Sequence, residues 1–296
     1  MSRPKVLIVA GPTASGKSQL AVQIAAANDA VVLSADSRQF YKEISIGTAR
    51  ISEQEMNGVP HFFVGHFSVY EPITAGKFEH LALNIIQEQH QQGKNVVVCG
   101  GSGLFLDALV VGMDDLPPAD LEIRQNLILK LETEGLATLL DQLQALDPVF
   151  YQQVDRQNPR RVLRALEVCL VSGRPYSDQR EKKTAKRPFS PVWIAPDWPR
   201  DLLYDRINQR VDLMIEQGLE QEVKDWAHAF HLDAFNTIGY REWIPYLEGQ
   251  ASKEEVIEKI KQNTRRLAKR QLTYWRRNQH ISWIPANQLH DFKFSF

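Results

Sequence analysis

The sequence predicts an α/β fold in which a parallel sheet is covered by helices and interrupted by a helical insertion. Three observations carry this reading. An apolar run over residues 5–10 leads directly into a glycine-rich segment and a helix-forming stretch. Short β-branched runs alternate with helical periods through the first third, and from residue 114 the pattern turns wholly helical until a strand-like run returns at residues 192–195.

Taken in order, strands are expected over residues 5–10, 31–35 and 95–99, with helices running from Gly16 and over about residues 77–91. Around Asp114-Asp115-Leu116-Pro117-Pro118 the alternation stops. Residues 119–172 read as helices broken at Gly135, Asp147-Pro148 and Asn158-Pro159. A polar, basic connector over residues 173–188 precedes the returning strand. Two long helical segments follow, over about residues 200–230 and 252–278, and residues 280–284 read as a terminal strand. The expected division is a core domain of residues 1–113 and 189–296, ending in a basic helix, and a helical insertion of residues 114–188.

A chain of 296 residues can bury a substantial core. No apolar run approaches the roughly 20 residues of a membrane span, and the run near the start is too short for a signal peptide, so a soluble, cytoplasmic protein is expected. The two cysteines, Cys99 and Cys169, lie too far apart for a CxxC metal site and read as buried small side chains. A net charge of −1 argues against general attraction to nucleic acid, but charge is unevenly spread. Between Lys259 and Arg277 the chain carries Lys261, Arg265, Arg266, Lys269, Arg270 and Arg276 and no acid. At about 100° per residue the basic positions fall on one half of a helix, with Leu267, Ala268, Leu272 and Trp275 on the other half or its border. Such a face is either solvated or set against phosphate, and the missing acids favour phosphate.

Gly11, Pro12, Thr13, Ala14, Ser15, Gly16, Lys17 and Ser18 match the phosphate-binding pattern G-x-x-x-x-G-K-[ST], between a strand and a helix as the pattern requires. Glycines let backbone N–H groups turn inward, the helix presents its positive end, Lys17 adds a point charge, and Ser18 can hold Mg²⁺. The pattern is that of nucleotide- and ATP-binding loops and does not itself say which polyphosphate is bound.

Asp36 ends the second strand and should face the same crevice as that loop, unless it serves only as a turn or cap residue. Residues 95–99 run into Gly100-Gly101-Ser102-Gly103, where a nucleotide hydrolase would usually place a magnesium-linked acid; its absence weakens an ATPase reading. Ser102 can donate to a phosphate or a substrate amine, or be a plain turn serine. His61 and His66 lack a third ligand at metal spacing and read as ordinary histidines. Arg206 and Arg210 share a helix face, where either a nearby anion or salt bridges to Asp205, Asp212 or Glu216 would relieve their repulsion. Residues 236–242 hold a glycine turn followed by Tyr240 and Arg241, which suits packing or substrate contact equally.

Together these segments resemble the bacterial tRNA dimethylallyltransferases, also called tRNA isopentenyltransferases, along nearly the whole chain. In family order stand GPTASGKS at Gly11, ADSRQFY at Ala35, IGTA at Ile46, GGSGL at Gly100, NPRRVLRALEV at Asn158, YDRINQRVDLM at Tyr204, IGYRE at Ile238 and TRRLAKRQLTYWRR at Thr264. The resemblance implies transfer of a dimethylallyl group from dimethylallyl diphosphate to N6 of adenine 37 of tRNA, with release of diphosphate. Residues 11–18 would then hold a diphosphate rather than ATP, with Mg²⁺ helped by Ser18, and Lys17 and Arg210 would face the departing charge. Asp36 resembles the general base, and Ser102 stands where a Thr or Ser contact to substrate is expected.

Asp36, Ser37, Arg38 and Gln39 match one tRNA-meeting segment of the family, and Gln157, Asn158, Pro159, Arg160 and Arg161 another; Arg124 also resembles a contact position. The reacting base would be flipped out of its stack into a channel leading to the diphosphate. The basic helix, through Arg265, Lys269 and Arg270 among others, would grip surrounding phosphates while the insertion closes on the stem-loop. The resemblance also implies a monomer, and without the cysteines of a zinc finger no zinc is expected. Competing readings are a nucleotide kinase or ATPase, an isopentenyltransferase acting on a free adenylate, and a non-catalytic tRNA-binding module. The basic helix counts against the first, that helix and Arg160-Arg161 against the second, and Gly16-Lys17-Ser18 against the third.

Overall fold

The computed structural model describes residues 3–180 and 185–296. In chain order the elements are β1 (Lys5–Ala10), α1 (Lys17–Ala27), β2 (Ala30–Ser34), α2 (Glu53–Met56), β3 (His61–Phe62), α3 (Ala75–Gln91), β4 (Asn95–Gly100) and α4 (Gly103–Val110). They continue with α5 (Leu121–Leu146), α6 (Pro148–Gln153), α7 (Pro159–Ser172), α8 (Tyr176–Gln179), β5 (Ser190–Asp197), α9 (Arg200–Glu216), α10 (Leu219–Trp226), α11 (Ile244–Leu247), α12 (Lys253–Trp275) and β6 (Ile281–Pro285). The chain forms two compact units, one of residues 1–110 and 186–296 and one of residues 111–185.

In the larger unit six strands form one parallel sheet in the order β3-β2-β4-β1-β5-β6. β1 is central and covered on both faces, which is why its sequence is an unbroken apolar run rather than an alternation. Its side chains still divide by the period of two: Val6, Ile8 and Ala10 enter one core, and Leu7 and Val9 enter the other. A third core, with Ile44, Val211, Phe235, Tyr240 and Trp243, supports the segment around residues 45–49.

The smaller unit is helical and has its own core of Leu127, Leu139, Leu143, Phe150, Val162 and Leu166. Its breaks fall where the sequence puts them. Gly135 leaves helical geometry at φ 86° within α5, Asp147 caps α6 by accepting from Phe150 N–H, and Asn158 caps α7 ahead of Pro159. The connector expected over residues 173–188 includes residues 181–184, outside the described residues.

The structure adds two elements for which the sequence carries no expectation and corrects one for which it does. The glycine-rich stretch after β4 turns at once into α4, a short apolar helix in which Leu106 and Leu109 are buried; it lacks the polar face that would have revealed its period. β3 is only two residues long, too short for any pattern. The helix expected over residues 200–230 is broken at Gly218, which takes φ 97° as the N-cap of α10.

Candidate functional site

Parallel pairing places the C-terminal ends of the strands on one edge of the sheet. The loop of residues 11–16 follows β1 there, Asp36 follows β2, Gly101 and Ser102 follow β4, and Trp198 follows β5.

The loop after β1 takes backbone angles that favour glycine, with φ 145° at Gly11 and 81° at Gly16, and Ala14 follows at 61°. Gly16 caps α1 without a side-chain hydrogen bond, so the helix's leading N–H groups are offered to the loop interior. Ser15 Oγ is buried there without a partner, and a buried hydroxyl in that state is a place for an acceptor to arrive. Lys17 Nζ is also buried and reaches the Pro12 carbonyl at 3.3 Å.

Side chains distant in sequence fix this loop. Trp198 Nε1 donates to Ser15 O at 2.8 Å, Arg206 Nε donates to Ala14 O at 2.9 Å, and the Arg206 guanidinium lies 4.3 Å from the Trp198 ring centroid. Gln271 of α12 accepts from Thr13 N–H at 2.9 Å and donates to Gly101 O at 2.9 Å. Arg210 Nη1 donates to Thr13 Oγ1 at 2.9 Å. The salt bridges considered for Arg206 and Arg210 do not form: Asp212 pairs with Lys261 instead, and both arginines turn toward the loop.

Burial lowers the pKa of Lys17 and of Arg210, and in each case the Asp36 carboxylate is the foremost opposing charge. Asp36 Oδ1 also accepts from Arg38 N–H at 3.2 Å, so the residue closes a turn and faces the cations together. The buried Lys17 ammonium and the partly buried Arg210 guanidinium share one opposing carboxylate, so the cleft beside Lys17 and Asp36 carries an excess of positive charge that an anion would complete. The cleft is lined by Lys17, Ser18, Ser34, Asp36, Gln39 and Cys99, among others. Burial pushes the Cys99 thiol up to about 11, which makes it a neutral wall rather than a nucleophile.

Ser37 and Arg38 continue the turn, and Arg38 donates to Asp233 O at 2.9 Å. Gln39 is buried and donates to Ala49 O at 3.0 Å; Arg210 Nη2 reaches the same carbonyl at 3.3 Å. Ser102 sits in the turn between β4 and α4, where its carbonyl accepts from Leu106 N–H. In the helical unit, Gln157, Arg160 and Arg161 are exposed at the start of α7, whose first turn Asn158 and Pro159 form. Arg124 pairs with the buried Glu167 at 3.4 Å, which gives it a packing role in that unit. On α12, Lys269 and Arg270 line an open groove of about 450 Å³ with Arg266, Thr273, Tyr274 and Arg277. Arg265 lies outside this groove and donates to Asn208 Oδ1 at 2.6 Å; Lys261 and Arg276 pair with Asp212 and Asp197.

Residues 236–242 pack rather than open onto the cleft: Tyr240 is buried with its hydroxyl on Glu222 at 2.6 Å, and Glu242 accepts from Gly239 N–H. Among the described residues no three His, Cys, Asp or Glu gather as a metal site, and no helix is long and apolar enough to cross a membrane.

The sequence reading missed Glu222, Trp198 and Gln271. Glu222 accepts from the N–H groups of Ser45, Ile46 and Gly47 at 2.8, 3.0 and 2.9 Å and so holds the segment leading to Ala49. No local pattern marks it, since its partners are backbone groups far away in sequence. Trp198 had a signal, an aromatic just past a strand end on the ligand edge. Gln271 stands within the basic motif but is polar and uncharged.

The chain matches the sequence profile described as IPP transferase over residues 39–278. It is 41% identical over 284 residues to the tRNA dimethylallyltransferase of Cytophaga hutchinsonii, covering 96% of this chain and 93% of the relative. It is 42% identical over 280 residues to that of Christiangramia forsetii, covering 95% and 93%. The crystal structure of the full-length tRNA isopentenylpyrophosphate transferase from Bacillus halodurans superposes with a TM-score of 0.71 at 34% identity, covering 98% of this chain and 94% of that one. A eukaryotic dimethylallyltransferase described as acting on tRNA gives a TM-score of 0.82 at 28% identity, covering 96% of this chain and 74% of its own. On this agreement of profile, sequence and fold, the chain belongs to the IPP transferase family, that of the tRNA dimethylallyltransferases.

Proposed function

We propose that this protein transfers a dimethylallyl group from dimethylallyl diphosphate to N6 of adenine 37 of tRNA and releases diphosphate. The observation that carries the reading is the cleft at the phosphate loop that Lys17, Ser18 and Asp36 line together, with the buried Ser15 hydroxyl unpartnered and Arg210 fixed on Thr13 of the same loop. Relatives that match along nearly the whole chain bear the name tRNA dimethylallyltransferase.

The diphosphate of the donor lies in the loop of residues 11–18, where Ser15 Oγ is buried without a partner and no side chain caps the N-terminus of α1. As adenine N6 attacks C1 of the dimethylallyl group, the C1–O bond breaks and its electron pair leaves on the diphosphate. Lys17, Arg210 and the fixed N–H groups stabilise that growing charge. Asp36 orients N6 and accepts its proton, which offsets the poor nucleophilicity of an amine delocalised into the ring. Ser102 contacts the substrate from the turn after β4. Ser18 lines the cleft beside Lys17, and its hydroxyl is a hard oxygen donor that would help hold Mg²⁺ at the diphosphate. Held there, Mg²⁺ would add to the neutralisation of the leaving group that Lys17 and Arg210 provide.

Adenine 37 reaches the cleft flipped out of its stack. Lys269, Arg270 and Arg265 meet phosphates of the tRNA, and Arg38, Gln39, Arg124, Arg160 and Arg161 contribute further contacts. Purified protein incubated with Mg²⁺, dimethylallyl diphosphate and either unmodified tRNA or AMP tests this by nucleoside mass analysis. N6-isopentenyladenine in the tRNA alone is expected. Modification of AMP alone makes the protein a free-nucleotide transferase, and absence of product in both rejects the activity.

A further inference from the structure

We infer that Gln271 is a positioning residue that clasps the phosphate loop to the glycine loop after β4, so that α12 sets donor geometry on one face and presents its basic groove on another. The inference rests on the donor-site reading above.

The side-chain amide of Gln271 is used at both ends. Its oxygen accepts from Thr13 N–H and its nitrogen donates to Gly101 O, each at 2.9 Å. The two bonded groups are backbone, and they belong to the loops that follow the adjacent strands β1 and β4. A single amide thus fixes the spacing between two loops on the ligand edge. Thr13 is held twice over, because its hydroxyl accepts from Arg210 at 2.9 Å.

Gly101 is shaped to receive this clasp. A Cβ there would lie 2.6 Å from Gln271 Nε2 and 3.2 Å from Gly11 O, so any larger residue pushes the amide away. One turn later the same helix meets α4 closely, where a Cβ on Gly103 would clash with the Tyr274 ring and where Tyr274 donates to Asp107. Gln271 lies about 140° around the helix from Arg266, on the side of the buried Ala268 and Trp275, whereas Lys269, Arg270 and Thr273 line the open groove. One rigid element therefore carries both surfaces.

The test compares wild type, Gln271→Ala, Gly101→Ala and the double variant, measuring affinity for inorganic diphosphate with Mg²⁺, affinity for tRNA, and melting temperature. Gln271→Ala should weaken diphosphate binding about tenfold, the size expected for two neutral hydrogen bonds, with tRNA affinity within about twofold and melting nearly unchanged. Gly101→Ala should weaken diphosphate binding in wild type but add little in Gln271→Ala, because the amide it displaces is already gone. Unchanged diphosphate affinity in Gln271→Ala overturns the inference, and so does joint loss of both ligands with a lower melting temperature. A wild type that binds diphosphate but transfers nothing to tRNA overturns the activity reading alone.

Discussion

Arg210 donates to the hydroxyl of Thr13 across 2.9 Å, joining α9 to the phosphate loop. Residues so distant in sequence meet because α9 follows β5, the strand beside β1, and its Leu203 and Ile207 pack in one cluster with Ala14 of the loop. The guanidinium is partly buried, and its second nitrogen reaches the Ala49 carbonyl, so its orientation is set from two sides.

Arg210→Ala should weaken dimethylallyl diphosphate binding about 10- to 100-fold, the range for a lost charge-assisted contact, and slow transfer further. Titration calorimetry and single-turnover rates check this. Normal donor affinity with full-speed chemistry would assign Arg210 to structure alone.

Lys17→Met should raise the melting temperature of the empty protein by about 2 °C or more while abolishing donor binding, because the ammonium is buried for a ligand rather than for folding. Burial sets the folded pKa of Lys17 below its ordinary 10.5. Between those two values the unfolded chain binds more protons, so the stability of the empty protein rises with pH through that window. Donor affinity should fall over the same window as the ammonium deprotonates. Melting curves with and without inorganic diphosphate, taken toward alkaline pH, separate the two trends.

Asp36→Asn should leave donor and tRNA binding largely intact and reduce turnover by roughly 10²–10⁴, the range for a positioned general base. Wild-type single-turnover rates in this variant would remove Asp36 from the chemistry and leave it as a turn residue.

Glu222→Ala should lower stability by about 2 kcal/mol, since it strands the N–H groups of Ser45, Ile46 and Gly47. Donor affinity should fall with it, because Ala49, at the end of that segment, orients Arg210. Tyr240→Phe removes only one hydrogen bond to Glu222 and should be milder. Equal melting temperatures for Glu222→Ala and wild type would contradict this account.

The sheet was readable because β1, β2 and β4 are buried, β-branched and separated by long periodic helices, and the phosphate loop is a local pattern that requires those flanks. Long-range hydrogen bonding was not readable. The spacing of Arg206 and Arg210 fits salt bridges and inward contacts equally, and only packing against the loop and Trp198 decides between them. Glu222 and Gln271 act on backbone groups of remote loops, so nothing near them in sequence reports their work. The basic stretch in α12 was legible as a face, but tertiary packing divides it. Lys261 and Arg276 meet acids from other segments, Arg265 turns to Asn208, and Lys269 and Arg270 are left on the groove.

That division sharpens the last prediction. Paired replacement of Lys269 and Arg270 by Ala should weaken tRNA binding without changing donor affinity, since both are exposed on the groove and neither bonds to the phosphate loop, which α12 reaches through Gln271. Each lost phosphate contact reduces the slope of log K against log salt by about one unit, so the pair should flatten it by roughly two. Replacing Lys261 and Arg276 instead should change the slope less, because each is already partnered by a carboxylate and its loss releases fewer counterions. Binding isotherms over a range of salt concentrations distinguish the pairs. If Lys269 and Arg270 leave the slope unchanged in a folded protein, this groove is not the tRNA surface, and a free-nucleotide acceptor becomes the better reading of the cleft.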